Sequence, residues 1–352
     1  MREVKVGLVG CGRNSENHLR VYSNTDRVRL VAVCDIDSNK AEEMAKKYGV
    51  QRTFTDFNSM LDLDLDLVDI VTPTPTHAKL SIRALKSGHN VLVEKPMAYS
   101  SKECLDMIEA ARKNDKILCV MHNKRFFDSI LKTKAKIEQE NLSVTRIRVA
   151  QLFTGIHAID WILHEAYGGL LWEALVHHIY LTQYFIGKIE SVYTIANKIR
   201  QPVNDSITLI VQSREKVGLC EYESGMKEPL ALFQIVTDKG DRFDGNLSHD
   251  FVVRKSRKYK NRKMTALRNF NDDMSEPLVK WTSHLRNFMQ VRSFENFFPY
   301  RRTFFKLIRQ LISYLLGEKN SPPVTAEEGL QTIRVLEAAK KSIETNKAEA
   351  PK

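Results

Sequence analysis

The sequence lacks the cysteine patterns of secreted frameworks and of structural zinc sites. Its five cysteines are odd in number and scattered along the chain, and no two of them form a C-x-x-C pair. Disulfide frameworks and zinc sites use cysteines in pairs at close spacing. The pattern therefore predicts reduced cysteines, no metal centre and a cytoplasmic location.

Long apolar runs are missing as well. No window approaches the roughly 18 uninterrupted apolar residues of a membrane-spanning helix, and the first residues lead directly into a strand pattern rather than a signal peptide. We therefore expect no membrane span and no signal peptide. With 43% apolar and 28% charged residues, the composition is that of an ordinary globular chain, which excludes a disordered or fibrous protein.

The length and the charge of the chain set broad limits on its function. Its 352 residues suffice for about two domains at roughly 150 residues each. It carries 54 basic and 43 acidic residues, and the resulting net charge of +11 favours anionic partners. Phosphorylated ligands, nucleic acid and anionic membrane surfaces all belong to that group, and the charge alone does not distinguish them.

Short apolar runs alternate with amphipathic helical stretches in the first third of the chain. The runs are rich in β-branched residues and almost continuously apolar, as strands covered by helices on both faces are. They lie at residues 4–9, 28–34, 68–72, 90–93 and 117–121, and the helices at 38–47, 76–87 and 101–114, with Ser101 as N-cap. Alternation of this kind predicts a parallel, doubly wound Rossmann domain over residues 1–122.

Strands then follow one another with few helices between them. Candidate strands lie at residues 144–152, 189–195, 207–211, 217–223 and 230–237, and one helix is predicted at 170–185. Successive strands of this kind favour a large, mainly antiparallel open sheet in a second α/β domain over residues 123–324. The last helix follows a Ser-Pro-Pro sequence. We expect residues 325–352 to pack back on the Rossmann domain and the tail from 346 to fray.

The first strand ends in a glycine-containing turn that leads into a helical pattern. The first glycine of Gly10-Cys11-Gly12 permits a tight turn, and the second lets the backbone approach a pyrophosphate at the positive end of the next helix. An ordinary strand–helix turn is the alternative. The residues assigned to cofactor binding here are Gly10, Gly12, Arg13 and Asn14.

An acid follows this turn at the end of the second strand. Asp35 lies 23 residues beyond Gly12, a spacing suited to accepting hydrogen bonds from the adenosine ribose. Its carboxylate would repel a 2′-phosphate, and Ile36 and Asp37 supply no compensating base. The sequence therefore favours NAD over NADP as cofactor.

Several motifs together resemble the Gfo/Idh/MocA family of glucose–fructose oxidoreductases and inositol dehydrogenases. They are Gly10-Cys11-Gly12 with His18, Thr72-Pro73 with His77, and Glu94-Lys95-Pro96, the most specific of the three. The similarity covers nearly the whole chain and is weak between about 240 and 317. It implies a Rossmann domain joined to an α/β domain with a large open sheet. It also implies hydride transfer between NAD(H) or NADP(H) and a carbon of a sugar, cyclitol or nucleotide sugar.

The resemblance implies further cofactor residues and a catalytic lysine. In its light Lys95 donates to a substrate hydroxyl and exchanges its proton, whereas from the residues alone it could be a surface lysine paired with Glu94. The cofactor residues added by the resemblance are Thr72, Pro73, His77, Glu94 and Lys95.

A histidine and a glutamate complete the catalytic set that the resemblance implies. His177 falls on the family's active-site histidine, and Glu173 lies four residues earlier on the same predicted helical face. Without the resemblance, His177 could equally be a packed core residue. Tyr180 stands where an Asp commonly follows this histidine, so we expect His177 to lack that acceptor.

Four residues form the predicted substrate set. Asn123 and Arg125 follow the strand at 117–121, and Arg125 either hydrogen-bonds a carboxylate or phosphate of the substrate or supports the domain junction. Trp161, together with His164, could wall a sugar site or serve in the core or a loop. His178, next to His177, completes the set.

The C-terminal third is basic and rich in aromatic residues. Residues 254–268 hold eight basic side chains and no acid, and the stretch 304–316 has an amphipathic pattern. The plainest interpretation is a solvated loop followed by a helix buried against the sheet or a second subunit. An anion-binding loop, a helix on a membrane surface at 303–316 and a nucleic-acid site stay open as alternatives, although no known nucleic-acid module matches.

These observations predict an NAD-dependent oxidoreductase acting on a secondary alcohol of a sugar, cyclitol or nucleotide sugar. We expect a small-molecule substrate, no nucleic-acid partner, and a homodimer or homotetramer built on the open sheet face and the apolar segment. Two alternatives remain. One is a glycosidase or isomerase-like enzyme that uses NAD only transiently, and the other is a catalytically silent protein that binds NAD or a sugar.

Overall fold

The structure is a computed structural model that describes residues 2–154, 163, 168–255 and 299–352. The chain divides into two compact units. The first contains Met1–Asn123 with Phe304–Glu337, and the second contains Lys124–Thr303 with Ala338–Lys352. None of the described helices combines the length and the apolar character that a membrane span requires.

A six-stranded parallel sheet forms the core of the first unit. Its strands run in the order β3-β2-β1-β4-β5-β6, and the central ones are buried on both faces, as their continuous apolar sequences predicted. The strands are β1 (Val4–Val9), β2 (Val28–Cys34), β3 (Arg52–Phe54), β4 (Leu67–Ile70), β5 (Asn90–Val93) and β6 (Leu118–Val120). The helices are α1 (Ser15–Ser23), α2 (Ser38–Tyr48), α3 (Phe57–Leu61), α4 (His77–Lys86) and α5 (Ser101–Lys113). The prediction of a parallel Rossmann sheet is confirmed.

The carboxyl ends of four neighbouring strands are level. Val9 of β1 pairs with Ile70 of β4, Ile70 pairs with Val93 of β5, and Val93 pairs with Val120 of β6. The residues that follow each strand are therefore delivered to one edge of the sheet. This register brings the glycine turn and the motifs around Thr72 and Glu94 to the same edge, where ligands of such sheets bind.

Local signals at the edges of the elements differ from the sequence expectations. The N-cap of α5 is Ser100 and not Ser101, because the Ser100 side chain accepts the N–H of Glu103 while the Glu103 carboxylate accepts the N–H of Ser100. This reciprocal pair is a capping box. Strand β3 and helix α3 were not predicted, since three and five residues are too few to show a period.

A seven-stranded sheet forms the second unit, in the order β13-β12-β11-β7-β10-β9-β8. All neighbouring pairs are antiparallel except β10 with β7, which confirms a mainly antiparallel sheet. The strands are β7 (Val144–Leu152), β8 (Ser191–Asn197), β9 (Ser206–Ser213), β10 (Lys216–Glu223), β11 (Leu230–Thr237), β12 (Arg242–Asn246) and β13 (Phe251–Lys255).

Helices cover one face of this second sheet. After α6 (Asp128–Gln139), the single helix predicted at 170–185 is two helices, α7 (Gly169–Glu173) and α8 (Leu175–Ile186), joined at Ala174. Helix α8 is apolar and buried on nearly all sides. It packs closely on β10, where a Cβ on Gly218 would lie 2.6 Å from the side chains of Thr182 and Val211. Glycine at this position allows the helix to approach the sheet.

The amphipathic segment near the C-terminus is a helix with a buried apolar side. Helix α9 (Pro299–Leu315) contributes Phe304, Leu307, Ile308 and Leu311, all between 0% and 1% exposed. The ring of Phe304 lies edge-on to the ring of His18, with 5.3 Å between the two ring centres. A helix lying on a membrane surface would need these side chains outside, so their burial argues against that alternative for 303–316.

The last segment contributes to both units. Helix α10 (Ala326–Thr345) belongs to the first unit up to Glu337 and to the second from Ala338. The tail does not fray as expected. Glu349 exchanges two backbone hydrogen bonds of 2.8 Å with Val192 of β8, and its carboxylate accepts the ammonium of Lys341 at 2.6 Å. These contacts hold the tail at the edge of the second sheet.

Candidate active site

The glycine turn has the shape that a dinucleotide needs. Gly10 has φ +95°, and a Cβ there would lie 2.6 Å from the carbonyl oxygen of Val71, so only glycine fits. Around Gly12, in contrast, a Cβ would meet no atom within 4 Å. The missing side chain leaves the backbone open at the start of α1, whose N-cap Asn14 uses no side-chain cap. A pyrophosphate fits such an open helix N-terminus.

Asp35 is fixed beside this turn by two backbone donors. Its Oδ2 accepts the N–H of Cys11 at 2.7 Å, and its Oδ1 accepts the N–H of Asp37 at 2.9 Å. Each carboxylate oxygen retains a second lone pair for a ribose hydroxyl. Burial and the charge of Asp35 raise the pKa of the Cys11 thiol to about 12, so this cysteine stays protonated beside the cofactor turn.

His77 joins the loop after β4 to the loop after β5. The side chain is 1% exposed, and its Nδ1 lies 2.8 Å from the carbonyl oxygen of Pro96 while its Nε2 lies 2.8 Å from that of Thr72. Thr72 and Thr76 share a hydroxyl–hydroxyl hydrogen bond of 2.6 Å. The ring therefore braces both loops, and direct contacts of Thr72, Pro73 and His77 with the cofactor stay predictions.

Glu94 ties Lys95, the predicted catalytic lysine, to the glycine turn. One carboxylate oxygen accepts the main-chain N–H of Lys95 at 2.9 Å, and the other accepts the side-chain amide of Asn14 at 2.6 Å. The second oxygen also meets Nε2 of the buried His18 at 2.9 Å. Burial raises the pKa of Glu94, but the hydrogen bonds and charge of His18 outweigh it, and the pKa lies below its usual value. Glu94 is thus a buried carboxylate rather than a surface partner of Lys95.

His177 has a partner that the sequence did not suggest. Its Nδ1 lies 2.8 Å from the hydroxyl of Tyr180, and that hydroxyl accepts the main-chain N–H of Lys124 at 3.1 Å. Tyr180 thus places a hydroxyl against the ring where a carboxylate would be usual; the tautomer of His177 decides whether this hydroxyl accepts, so the expectation that His177 lacks that acceptor stays a prediction. The three-residue spacing of His177 and Tyr180 could have indicated this contact, since residues three apart on a helix are neighbours. Glu173 ends α7, before the break at Ala174.

The predicted substrate residues have different surroundings. Asn123 is buried, and the guanidinium of Arg125 lies 4.4 Å from the ring centre of Tyr184. His178 is 1% exposed; burial and the charge of Lys124 lower its pKa to about 3, so it is a neutral interior side chain. This position does not favour a substrate contact, which stays a prediction. Trp161 and His164 lie outside the described residues.

The basic stretch begins with a residue that is already paired. Arg254 donates to the carboxylates of Glu140 and Asp241, each at 2.8 Å. Residues 256–268 lie outside the described part of the chain. Arg254 thus joins α6 to the edge of the sheet, which does not favour an anion-binding role for its guanidinium.

Comparisons with known proteins place the chain in a family. Residues 4–122 match the model of the Gfo/Idh/MocA oxidoreductase family with its NAD-binding Rossmann fold, and residues 134–350 match the model of its C-terminal alpha/beta domain. The chain belongs to the Gfo/Idh/MocA oxidoreductase family. The predicted family, the enzyme class and NAD as the family's cofactor are confirmed.

Curated relatives and solved structures agree with this family. A myo-inositol 2-dehydrogenase of Thermotoga maritima is 23% identical over 98% of both chains. A 4-carboxy-2-hydroxymuconate-6-semialdehyde dehydrogenase of Sphingobium sp. is 26% identical over 67% of this chain and 78% of its own. The WlbA dehydrogenase of Bordetella pertussis, solved with NADH and UDP-GlcNAcA, has the same fold, with a TM-score of 0.81, 21% identity, and coverage of 99% of this chain and 98% of its own.

Proposed function

We propose that this Gfo/Idh/MocA protein is an NAD-dependent dehydrogenase of a secondary alcohol in a sugar, cyclitol or nucleotide sugar. The observation that carries the proposal is the attachment of Lys95 to the cofactor turn through Glu94 and Asn14. The substrate class is supported by the relative named an inositol dehydrogenase and by the related fold solved with UDP-GlcNAcA. Inositol and UDP-GlcNAcA each contain a polyhydroxylated ring.

NAD, when bound, supplies the carbon that accepts or donates hydride. Gly10 and Gly12 bring the backbone close to its pyrophosphate, and Asp35 accepts hydrogen bonds from its adenosine ribose. The half-buried side chain of Lys95 then orients the substrate hydroxyl by donating to its oxygen. When the alcohol is oxidised, its hydroxyl proton must leave as the hydride leaves the carbon.

We assign that proton transfer to His177 and Lys95. The Tyr180 oxygen already accepts the N–H of Lys124 and has a second lone pair. In the proposed tautomer, Nδ1–H of His177 donates to this lone pair, and this hydrogen bond orients the ring for proton transfer. Glu173, at the end of α7, tunes the proton transfer by Lys95 and His177. In the reverse reaction the same residues return the proton to the carbonyl oxygen.

Turnover of a panel of sugars, cyclitols and nucleotide sugars, followed at 340 nm on purified protein, tests the proposal. We expect one class to reduce NAD, and Lys95→Met to lower kcat by about 100-fold or more while NAD still binds. Lys79→Met, an exposed lysine of α4, is the matched control. Product formed without net NAD reduction would support transient use of the cofactor. NAD binding without any turnover would support a silent binding protein, and normal turnover by Lys95→Met would refute the role of the lysine.

We also propose a cytoplasmic homo-oligomer that uses the second sheet. Ile195 of β8 and Ile210 of β9 are 50% and 43% exposed, and Tyr193 pairs with Ile210 in the register of the two strands. A second copy would remove these apolar side chains from water. Light scattering on Ile195→Lys and Ile210→Lys variants should show a smaller species than the wild type, and an unchanged mass would oppose this interface.

A further inference from the structure

Two buried acids flank a buried histidine behind the glycine turn. Asp69 lies in the central strand β4 and His18 on α1, and both are 0% exposed. The Nδ1 of His18 is 2.8 Å from Oδ2 of Asp69, and its Nε2 is 2.9 Å from Oε1 of Glu94. Tyr22 donates its hydroxyl to the same Asp69 oxygen at 2.8 Å. The three groups form one hydrogen-bonded chain from the core of the sheet to the cofactor turn.

Counting hydrogens assigns the charge of this chain. Glu94 accepts N–H groups from Asn14 and Lys95, and its pKa lies below its usual value, so at neutral pH it is an ionised carboxylate, which only accepts. Both ring nitrogens of His18 face carboxylates, and a neutral imidazole has a single N–H. Burial disfavours the cation, but Asp69 and then Glu94 outweigh this effect and raise the pKa of His18 to about 10. An imidazolium donates to both carboxylates at once, while Oδ1 of Asp69 has no hydrogen-bond partner among the described residues.

Among the described residues, the charged groups that act on the pKa of His18 are the two acids, and both favour the imidazolium. Besides the two acids, Tyr22 adds a hydroxyl whose pKa is raised by burial and by Asp69. The Phe304 ring meets His18 edge-on at 5.3 Å. The charge of Lys95 also favours the ionised form of Glu94. The surroundings therefore hold the imidazolium charge at neutral pH.

We propose that His18 is a positioning residue: a permanently charged imidazolium, anchored on Asp69, that fixes the Glu94 carboxylate in the orientation that binds both Asn14 and the Lys95 main chain. This inference rests on the proposed function, because it gives the charge a task in placing the catalytic lysine and the cofactor turn. Without the charged donor, Glu94 keeps two neutral donors and loses the one that ties it to the core. The lysine and the turn then lose a common support.

The charge itself is tested on the wild-type protein. Nitrogen-15 labelling of the histidines reports by NMR whether each ring nitrogen carries a hydrogen. We expect His18 to show two protonated nitrogens from pH 6 to pH 8.5. A signal of neutral imidazole at pH 7 would overturn the proposal, whether or not any sugar is turned over. This measurement also stands if a variant fails to fold.

The positioning role is tested with His18→Gln and Asp69→Asn, measured for NAD affinity without substrate and for kcat and KM with it. We expect NAD affinity to fall several-fold and kcat to fall about tenfold to 100-fold, because small misplacements of reacting groups are costly. The control is His89→Asn: His89 is also buried in the first unit, but its nitrogens face the carbonyl oxygens of Leu61 and Leu65 at 3.0 Å.

The outcomes separate this inference from the proposed function. Folded His18→Gln with unchanged NAD affinity and kcat would show a merely structural ion pair and overturn the positioning role. An equal loss of NAD affinity in His89→Asn would also overturn the positioning role, because replacing any buried histidine of the first unit would then weaken NAD binding. Wild-type protein that binds NAD but turns over no alcohol would refute the proposed function, while the NAD affinities would still decide the role of His18 at the turn.

Discussion

Replacing Tyr180 by Phe removes one hydroxyl that hydrogen-bonds to two groups. The hydroxyl meets Nδ1 of His177 at 2.8 Å and accepts the N–H of Lys124 at 3.1 Å, and the side chain is only 3% exposed. Water has little access to replace it. A net hydrogen bond contributes about 1 kcal/mol, and an orphaned buried donor costs about 1–3 kcal/mol. We therefore expect the free energy of unfolding to fall by about 1–3 kcal/mol.

The same variant should slow catalysis, because His177 loses the partner that orients its ring. We expect kcat to fall about tenfold or more, with a smaller change in KM, since the substrate's other contacts remain. Steady-state kinetics and urea unfolding on the same preparation measure both effects. Tyr193→Phe is the control, because the Tyr193 hydroxyl donates to Asn346 at 3.1 Å on the surface. A stability loss without any loss of kcat would refute the proposal that Tyr180 orients His177 for catalysis.

Three further predictions concern the first unit. Gly10→Ala should lower the free energy of unfolding by more than about 2 kcal/mol in urea, because φ is +95° and a Cβ would lie 2.6 Å from the Val71 carbonyl oxygen; an unchanged midpoint would contradict this. Asp35→Ala should weaken NAD binding about tenfold in calorimetry, and unchanged affinity would remove Asp35 from the ribose site. The charge of His18 should stabilise the fold fully below its unfolded pKa, near 6.5, and lose this effect as pH rises to about 10. Urea unfolding at pH 6.5 and 10 should show the gap between wild type and His18→Gln shrinking, and a gap that grows with pH would contradict the sign.

The parts of the fold with a clear pattern of apolar residues were predictable from the sequence. The strands β1, β4 and β5 are short, apolar and β-branched, and a parallel sheet is the arrangement that buries both of their faces. The glycine turn and Asp35 also followed from residue type and spacing. A three-residue edge strand such as β3, with two of its three residues exposed, carries no such pattern, and its position depends on pairing with β2.

The connections that complete the candidate site depend on contacts far apart in sequence. His18 and Asp69 are 51 positions apart, and His18 and Glu94 are 76 apart. A sequence pattern gives no direct measure of such pairs. One signal was present: an acid in the middle of the apolar strand Leu67–Ile70 has to be paired if it is buried. The cap of α5 shows a finer difficulty, since two adjacent serines differ only in which one reaches the backbone of Glu103.

Two histidines of the same intrinsic chemistry are given different tasks by their partners. His18 meets a carboxylate at each nitrogen, so losing a proton would leave two buried negative charges with one donor fewer. Such a ring holds its charge and serves as a fixed support. His177 meets a neutral hydroxyl at Nδ1, which is satisfied by either the neutral or the charged ring. A partner that favours neither state suits the proton transfer that we propose for His177. Exchanging the partners, by placing a carboxylate beside His177 or removing Asp69, should therefore impair the two residues in opposite ways: His177 would retain its proton, and His18 would lose it at a lower pH.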